Sequence, residues 1–288
     1  MPKKIVIPSS FDMIKKLIDK ADGFIVGVKD LSVNLPFYVG DIDEVVHYIK
    51  NNNKEIFVSV NKNMHNNDLE SLKSVLIKLE KLGVNGVIYY DASVVNIKRD
   101  LNLNLDLVWS QEHMTTNYLT SNYWNDFGAK YMFVSNEITI DEIIEISKKS
   151  KSELMVQLFG YIPIFNSRRH LVDNYLKTFN IDAEGNYLIE KEGKSYSIED
   201  DKNGTTVYSA NILNGLGEYL NLKNNNISYI VLNSYKIEEE KFIKTIDLFN
   251  TVDNANILEY VCQIDEMFNN VDRGFLYTET VYRVKNNE

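Results

Sequence analysis

Two stretches of the chain concentrate side chains able to do chemistry. The first, Gln157–Tyr175, reads QLFGYIPIFNSRRHLVDNY. Gly160 lets the backbone turn tightly. Pro163 stiffens the exit, and Ser167 is placed to cap a helix opening with Arg168 and Arg169. Two arginines in the first turn of a helix oppose its macrodipole. Their placement makes sense if the guanidinium groups and the free N–H groups face an anion together. Pairing with nearby surface acids is the alternative.

The second stretch, Trp109–Trp124, reads WSQEHMTTNYLTSNYW and is followed by Gly128 and Ser135–Glu142 (SNEITIDE). Of the four histidines (47, 65, 113 and 170), His113 is best placed to lie near a strand end, although a surface or hydrogen-bonded histidine fits the position equally well. Glu137, just past a strand, suits a general base or the carboxylate partner of an arginine. It also suits the first turn of a helix, where acids are ordinary. Familiar catalytic motifs are missing: the sequence has no HExxH, no close histidine pair, no GxSxG and no GxGxxG. The one cysteine, Cys262, falls in a predicted C-terminal helix and reads as a core residue. It excludes an intramolecular disulfide, and no metal site is legible. A Ser/His/Asp triad depends on spatial adjacency, which spacing does not show.

Residues like these need a scaffold, and the pattern supplies one. Short β-branched or aromatic runs alternate with amphipathic stretches: Lys4–Ile7, Phe24–Val28, Glu55–Val60, Gly86–Tyr90, Asp106–Trp109, Tyr131–Val134, Leu154–Phe159 and Tyr229–Leu232. Helices are expected from Ser10 onward, near Asp41–Lys50, over Asp68–Leu82 with Gly83 as its stop, and near Val94–Arg99, Asn117–Phe127, Ile140–Lys149 and Ile237–Phe249. Runs apolar at nearly every position suit strands buried on both faces of a parallel sheet. Eight such units predict an α/β fold, a (β/α)8 TIM-type barrel, with an open doubly wound sheet as the alternative. In a barrel, chemistry sits at the C-terminal strand ends. The residues there are Ser9, Lys29, Asn61, Asp91, Ser110-Gln111, Asn136-Glu137, Gly160-Tyr161 and Asn233-Ser234.

One interruption breaks the series. Asn186–Lys191 and Lys194–Glu199, joined by Glu192-Gly193, read as a β-hairpin inserted in the second half, at about 182–204. The tail Val271–Val284 reads as extended. No linker or repeat divides the 288 residues, which predicts a single domain over 1–288. The chain is 44% hydrophobic and 25% charged, with a net charge of −10 that argues against broad contact with a phosphate backbone. No run approaches a membrane span, and the N-terminus lacks the apolar region of a signal peptide. A cytoplasmic protein without a membrane or disulfide-linked partner is expected.

At the two chemical stretches the sequence resembles the collagenase-like peptidase family U32. Ser110-Gln111, Asn117, Tyr123-Trp124, Gly128 and Asn136-Glu137-Ile138-Thr139 follow one family segment. Gly160, Ser167, Leu171 and Asn174-Tyr175 fit the frame of the diagnostic motif, and GFLYTETVY from Gly274 resembles the family's C-terminal end. Both motif cysteines are absent, with Pro163 and His170 at their positions, and Asn136 stands where the family has an arginine. The resemblance implies a barrel without the iron–sulfur cluster of cysteine-rich relatives, and no other cofactor is evident. It is similar to short members implicated in 5-hydroxylation of the wobble uridine of transfer RNA, a reaction associated with prephenate. With these positions and the strand-end residues taken together, Gln111, Glu137 and His113 are the candidate catalytic residues, and Arg168, Arg169, Asn174, Tyr175, Asn61 and Asp91 the candidate binding residues; the resemblance implies that the two arginines anchor a prephenate-like acid or a phosphate. The implied partners are transfer RNA and a paralogous barrel subunit. A peptidase of unknown catalytic type, or a non-catalytic scaffold subunit, are the alternative functions.

Overall fold

The computed structural model describes residues 1–111, 114–182, 185 and 187–278. Its elements, in chain order, are β1 (Lys3–Ile7), α1 (Phe11–Leu17), β2 (Gly23–Val28), β3 (Tyr38–Val39), α2 (Ile42–Asn51), β4 (Glu55–Val60), α3 (Leu69–Leu82), β5 (Gly86–Tyr89), α4 (Ser93–Asp100), β6 (Leu107–Trp109), α5 (Tyr118–Asp126), β7 (Ala129–Phe133), α6 (Ile140–Lys149) and β8 (Glu153–Gly160). Then follow β9 (Pro163–Ser167), α7 (Leu171–Phe179), β10 (Tyr187–Lys191), β11 (Lys194–Asp201), β12 (Gly204–Tyr208), β13 (Ile212–Asn214), α8 (Tyr219–Asn224), β14 (Tyr229–Asn233), α9 (Glu239–Thr251), α10 (Ile257–Met267) and β15 (Val271–Asp272).

Strands β1, β2, β4, β5, β6, β7, β8 and β14 pair in that order, all parallel, and β14 pairs with both β8 and β1. The sheet therefore closes on itself as an eight-stranded parallel barrel, not an open doubly wound sheet. Strand alternation sorts the apolar residues into two cores. Ile5, Ile25, Phe57, Ile88, Val108, Tyr131, Met155 and Val231 fill the interior, while Val6, Phe24, Val26, Ile56, Val58 and Val87 pack outward with the helices. Phe57, Tyr131 and Tyr229 meet edge to face at 5.3–5.7 Å inside the barrel, a favoured arrangement for aromatic quadrupoles.

Local signals set the helix ends. Ser10 Oγ accepts the Met13 N–H at 3.0 Å, Asn117 Oδ1 accepts the Thr120 N–H at 2.9 Å, and Thr139 with Glu142 forms a capping box on α6. Gly83 ends α3 in the left-handed conformation at φ 62°.

The insertion is larger than the expected hairpin. Strands β10 and β11 do form that hairpin, with Glu192 and Gly193 at φ 53° and 73° as its turn. They belong, however, to a four-stranded antiparallel sheet ordered β10-β11-β12-β9, which also carries α7. Ser167 therefore lies in a strand and caps no helix, and Arg168 and Arg169 precede α7 instead of opening it. The first N–H groups of α7 are already satisfied. Asp200 Oδ2 accepts from Val172 at 2.8 Å and Asp173 at 3.2 Å, Thr205 Oγ1 accepts from Leu171 at 2.8 Å, and the His170 ring meets Asp200 Oδ1 at 3.0 Å. The anion that this helix end attracts is a carboxylate of the chain itself.

Two C-terminal readings also change. Among the described residues the tail is extended over β15, which pairs with β13, and then turns; residues 279–288 lie outside the described set. Cys262 lies in α10 as expected, but it is exposed instead of packed in the core. Arg273 holds this end by a two-pronged contact to Asp265 at 3.0 and 2.6 Å. Its hydrogen bonds keep the Asp265 carboxyl below the ordinary carboxylate range. Among the described residues no helix is long and apolar enough to cross a membrane.

Candidate functional site

Toward the C-terminal strand ends the inward positions turn from apolar to polar. Ser59 follows Phe57 on β4, Gln157 follows Met155 on β8, and Asn233 follows Val231 on β14. They surround a cavity of about 80 Å³ at the barrel mouth, with Ile7, Ile25, Ile88 and Leu35 as its apolar lining and Asn61, Ser110 and Gln111 at its edge. No charged side chain among the described residues lines it.

Backbone partners fix the amides of the mouth. Asn61 Oδ1 accepts the Val33 N–H at 2.9 Å, Gln157 Nε2 donates to the Tyr161 carbonyl at 3.1 Å, and Asn233 Oδ1 accepts the Tyr235 N–H at 3.0 Å. Gln111 Nε2 donates to the Tyr90 hydroxyl at 3.3 Å. Ser59 differs from these. It is 1% exposed, and its Oγ has no hydrogen-bond partner in the protein. Buried hydroxyls are normally satisfied, so this one needs an explanation.

A second space of about 100 Å³ lies between the mouth and the inserted sheet and shares Asn34 and Asn61 with the mouth. This cleft is charged: Arg168, Glu199 and Asp201 line it. The Arg168 guanidinium donates to the Asn63 carbonyl and stands 3.5 Å from Asp68. Asp68 also receives Lys62 Nζ at 2.9 Å and the His65 N–H at 2.8 Å. Burial pushes the Asp68 carboxyl up, but the His65 N–H, Lys62 and Arg168 outweigh it and hold the group below the usual range. The Lys62 side chain is only 7% exposed and also donates to the Asp30 carbonyl at 2.7 Å. Burial raises the Tyr38 phenol to about 12 and pushes the Tyr208 phenol well above its ordinary value, so both remain protonated. Tyr208 stacks on Tyr235 with ring centres 3.8 Å apart.

A third cavity, of about 480 Å³, is lined by Glu137, Lys194, Tyr196 and Asp272 and shares Asn136 and Pro163 with the mouth. The three spaces thus adjoin, with the mouth in the middle.

The candidates read from sequence are divided among these places. Gln111 and Asn61 line the mouth, Arg168 lines the cleft, and Glu137 lines the third cavity. His113 lies outside the described residues. Asp91 is a structural tie: its two oxygens accept the Ser93 N–H at 2.8 Å and the Met64 N–H at 3.1 Å, joining two loops. Arg169 is exposed, and its carbonyl accepts the Thr205 hydroxyl. Asn174 and Tyr175 are exposed on α7, and neither lines the three spaces. Of Arg168, Arg169, Asn174 and Tyr175, Arg168 alone lines one of the three spaces.

Ser59 and Gln157 lie inside strands, outside the set of strand-end residues, and Asn233 stands in that set without an assigned role. A usable signal existed: a polar side chain interrupts EIFVSV and LMVQLF at the parity of the inward residues.

The model of peptidase family U32 matches residues 10–278. The chain is 30% identical to tRNA hydroxylation protein P2 of Bacillus subtilis (strain 168), over 98% of this chain and 99% of that protein. It is 24% identical to tRNA hydroxylation protein P1 of the same organism, over 49% of this chain and 33% of that protein. A solved U32 peptidase superposes with a TM-score of 0.55 at 16% identity, covering 81% of this chain and 93% of that one, which speaks for the fold alone. The (β/α)8 chain described here belongs to peptidase family U32 and is related to the bacterial tRNA hydroxylation proteins.

Proposed function

We propose that this chain acts in 5-hydroxylation of the wobble uridine of transfer RNA, with the barrel mouth as the place where the nucleotide is presented. The observation that carries the reading is the end-to-end similarity to tRNA hydroxylation protein P2. The site's character is compatible with it: barrels do their chemistry at this face, and here that face has hydrogen-bonding side chains on an apolar floor. With a net charge of −10 the chain is poorly suited to hold a polyanion alone. A paralogous barrel subunit supplying cationic surface fits this reading, as does a prephenate-like acid supplied as co-reactant. Arg168, on the cleft wall beside the mouth, is the cation nearest to hand for that acid, although Asp68 shares it.

The test is to delete the gene, together with those of paralogous barrels, digest total transfer RNA and quantify 5-hydroxyuridine-derived nucleosides by mass spectrometry. Loss of these nucleosides, restored by the wild-type chain and restored less by Arg168→Ala, is the expected result. An unchanged profile would remove this reading. Turnover of gelatin by the purified chain would then favour the peptidase reading that the family name suggests, and a co-purifying partner without such turnover a scaffold role.

A further inference from the structure

The cleft differs from the mouth in what lines it. Apart from Val33 and Gly204, every residue on its wall has a side chain able to hydrogen-bond. One water needs roughly 10–15 Å³ of such space, so about 100 Å³ holds several waters or one small, densely polar ring.

Two kinds of group on this wall have capacity to spare. Glu199 and Asp201 stand two residues apart on β11, so their side chains share one face of the inserted sheet. Asp201 Oδ1 accepts the Asn203 N–H at 2.7 Å, and Lys236 approaches Glu199 only to 3.9 Å, so carboxylate oxygens stay open as acceptors. Tyrosines supply the donors. The Tyr38 hydroxyl accepts the Leu35 N–H at 3.3 Å, which leaves its own proton to give. Tyr208 is 1% exposed, and its hydroxyl, opening on the cleft, makes no hydrogen bond among the described residues. A buried hydroxyl normally has a partner, so a ligand group is expected there. Acceptors and donors share one neighbourhood: the charges of Glu199 and Asp201 add to the burial that raises both phenols.

Carboxylates that accept beside phenols that donate select among ligands. An anion would take the phenol protons but be repelled by both acids. An ammonium would pair with the acids yet leave the Tyr38 proton without an acceptor. A hydroxyl both donates and accepts, so it bridges the two sets. Two acceptors beside two donors suit two neighbouring hydroxyls. Arg168 follows β9, with β12 between it and β11, so an acid held there lies on the other side of the cleft.

We propose that the β11 side of the cleft binds a vicinal diol, the 2′- and 3′-hydroxyls of a ribose, with Glu199 and Asp201 accepting from them and Tyr38 and Tyr208 donating to them. Carboxylates serve as acceptors for ribose hydroxyls in nucleotide-binding folds, and the 2′-hydroxyl distinguishes RNA from DNA. This deepens the transfer RNA reading and rests on it for the source of the ribose. The cleft shares Asn34 and Asn61 with the mouth, so a nucleotide presented at the mouth brings its sugar here.

The test uses the full chain and small ligands at millimolar concentration, read by saturation-transfer NMR with competition. Uridine should bind at least tenfold more tightly than 2′-deoxyuridine. Methyl riboside should compete with uridine, and methyl 2-deoxyriboside should not. Tyr208→Phe should weaken uridine binding about fivefold and leave the melting temperature unchanged or higher, because it removes a buried hydroxyl without a partner. Asp201→Asn, which keeps an acceptor for the Asn203 N–H, should weaken it about tenfold. Absence of uridine binding, equal binding of uridine and 2′-deoxyuridine, or wild-type affinity in both variants would overturn the proposal. Its fate is separable from that of the transfer RNA reading. Ribose-selective binding with an unchanged transfer RNA profile would support the site and assign it a free sugar or nucleoside. A profile lost on deletion and fully restored by the Tyr208→Phe, Asp201→Asn double variant would overturn the site and leave the RNA reading standing.

Discussion

The mouth and the cleft beside it share Asn34 and Asn61 yet are built on opposite principles. The mouth is made of strand residues whose direction is set by the register of a closed ladder, and its lining is uncharged. The cleft is made where barrel loops meet an inserted sheet, and it is held by a chain of charges running Lys62–Asp68–Arg168. A closed ladder can present unpaired polar groups without moving, which suits recognition by hydrogen-bond pattern. A seam between two sheets depends on ionic ties and stands or falls with them. The arginine most visible in the sequence thus has much of its charge engaged by the fold, whereas the inconspicuous Ser59 hydroxyl has no hydrogen-bond partner in the protein.

Breaking the mouth should have the largest effect. Gly160 lies at φ 105°, and a Cβ there would stand 2.3 Å from the Asn233 carbonyl oxygen. Gly160→Ala should cost about 4 kcal/mol by denaturant unfolding, combining backbone strain with overpacking. A loss below about 1 kcal/mol would mean that β8 and β14 are not packed as described.

Breaking the seam comes next. Lys62→Ala leaves Asp68 partly buried without its nearest cation and should cost about 3 kcal/mol. The wild type should itself show the tie as a pH effect. The Asp68 carboxyl is held below its ordinary range, so its contribution is complete above roughly pH 4 and fades as acid protonates it below that value. In Lys62→Ala that acid-sensitive part should shrink, and an unchanged acid profile would argue against the tie.

The smallest effect should be local. Asp200→Ala removes the acceptor for the Val172 and Asp173 N–H groups at the start of α7 and should cost about 1 kcal/mol. Amide exchange should speed up in α7 and the inserted sheet while the barrel strands keep their protection. Equal acceleration throughout would show that insertion and barrel open as one unit.

Much of the fold could be read from residue pattern, and the reason is physical. Runs such as GVIYY and YIVL are buried on both faces and announce themselves as strands, and caps such as Ser10 and Gly83 lie beside the elements they end. Strands β9 and β12 do not announce themselves, because PIFNS is short and largely exposed, and GTTVY, though buried, carries a glycine and two threonines in place of an apolar run. The cap of α7 was hidden for another reason: Asp200 is distant in sequence and arrives only through the pairing of β11 with β12. The same limit applied to the site. Asn61 and Gln111 were found from their places after strands, whereas Arg169, Asn174 and Tyr175 stand apart from the mouth because the insertion carries them outward. Ser59 is legible only through strand parity, because one small polar residue in an apolar strand gives no signal by its type alone.

The most direct test is made in cells lacking this chain and its paralogous barrels, where 5-hydroxyuridine-derived nucleosides would be quantified in transfer RNA after complementation with the wild type or with Arg168→Ala. Full restoration by the wild type and, at matched protein level, lower restoration by Arg168→Ala are predicted. Equal restoration by the two, or no dependence on the chain at all, would contradict the reading.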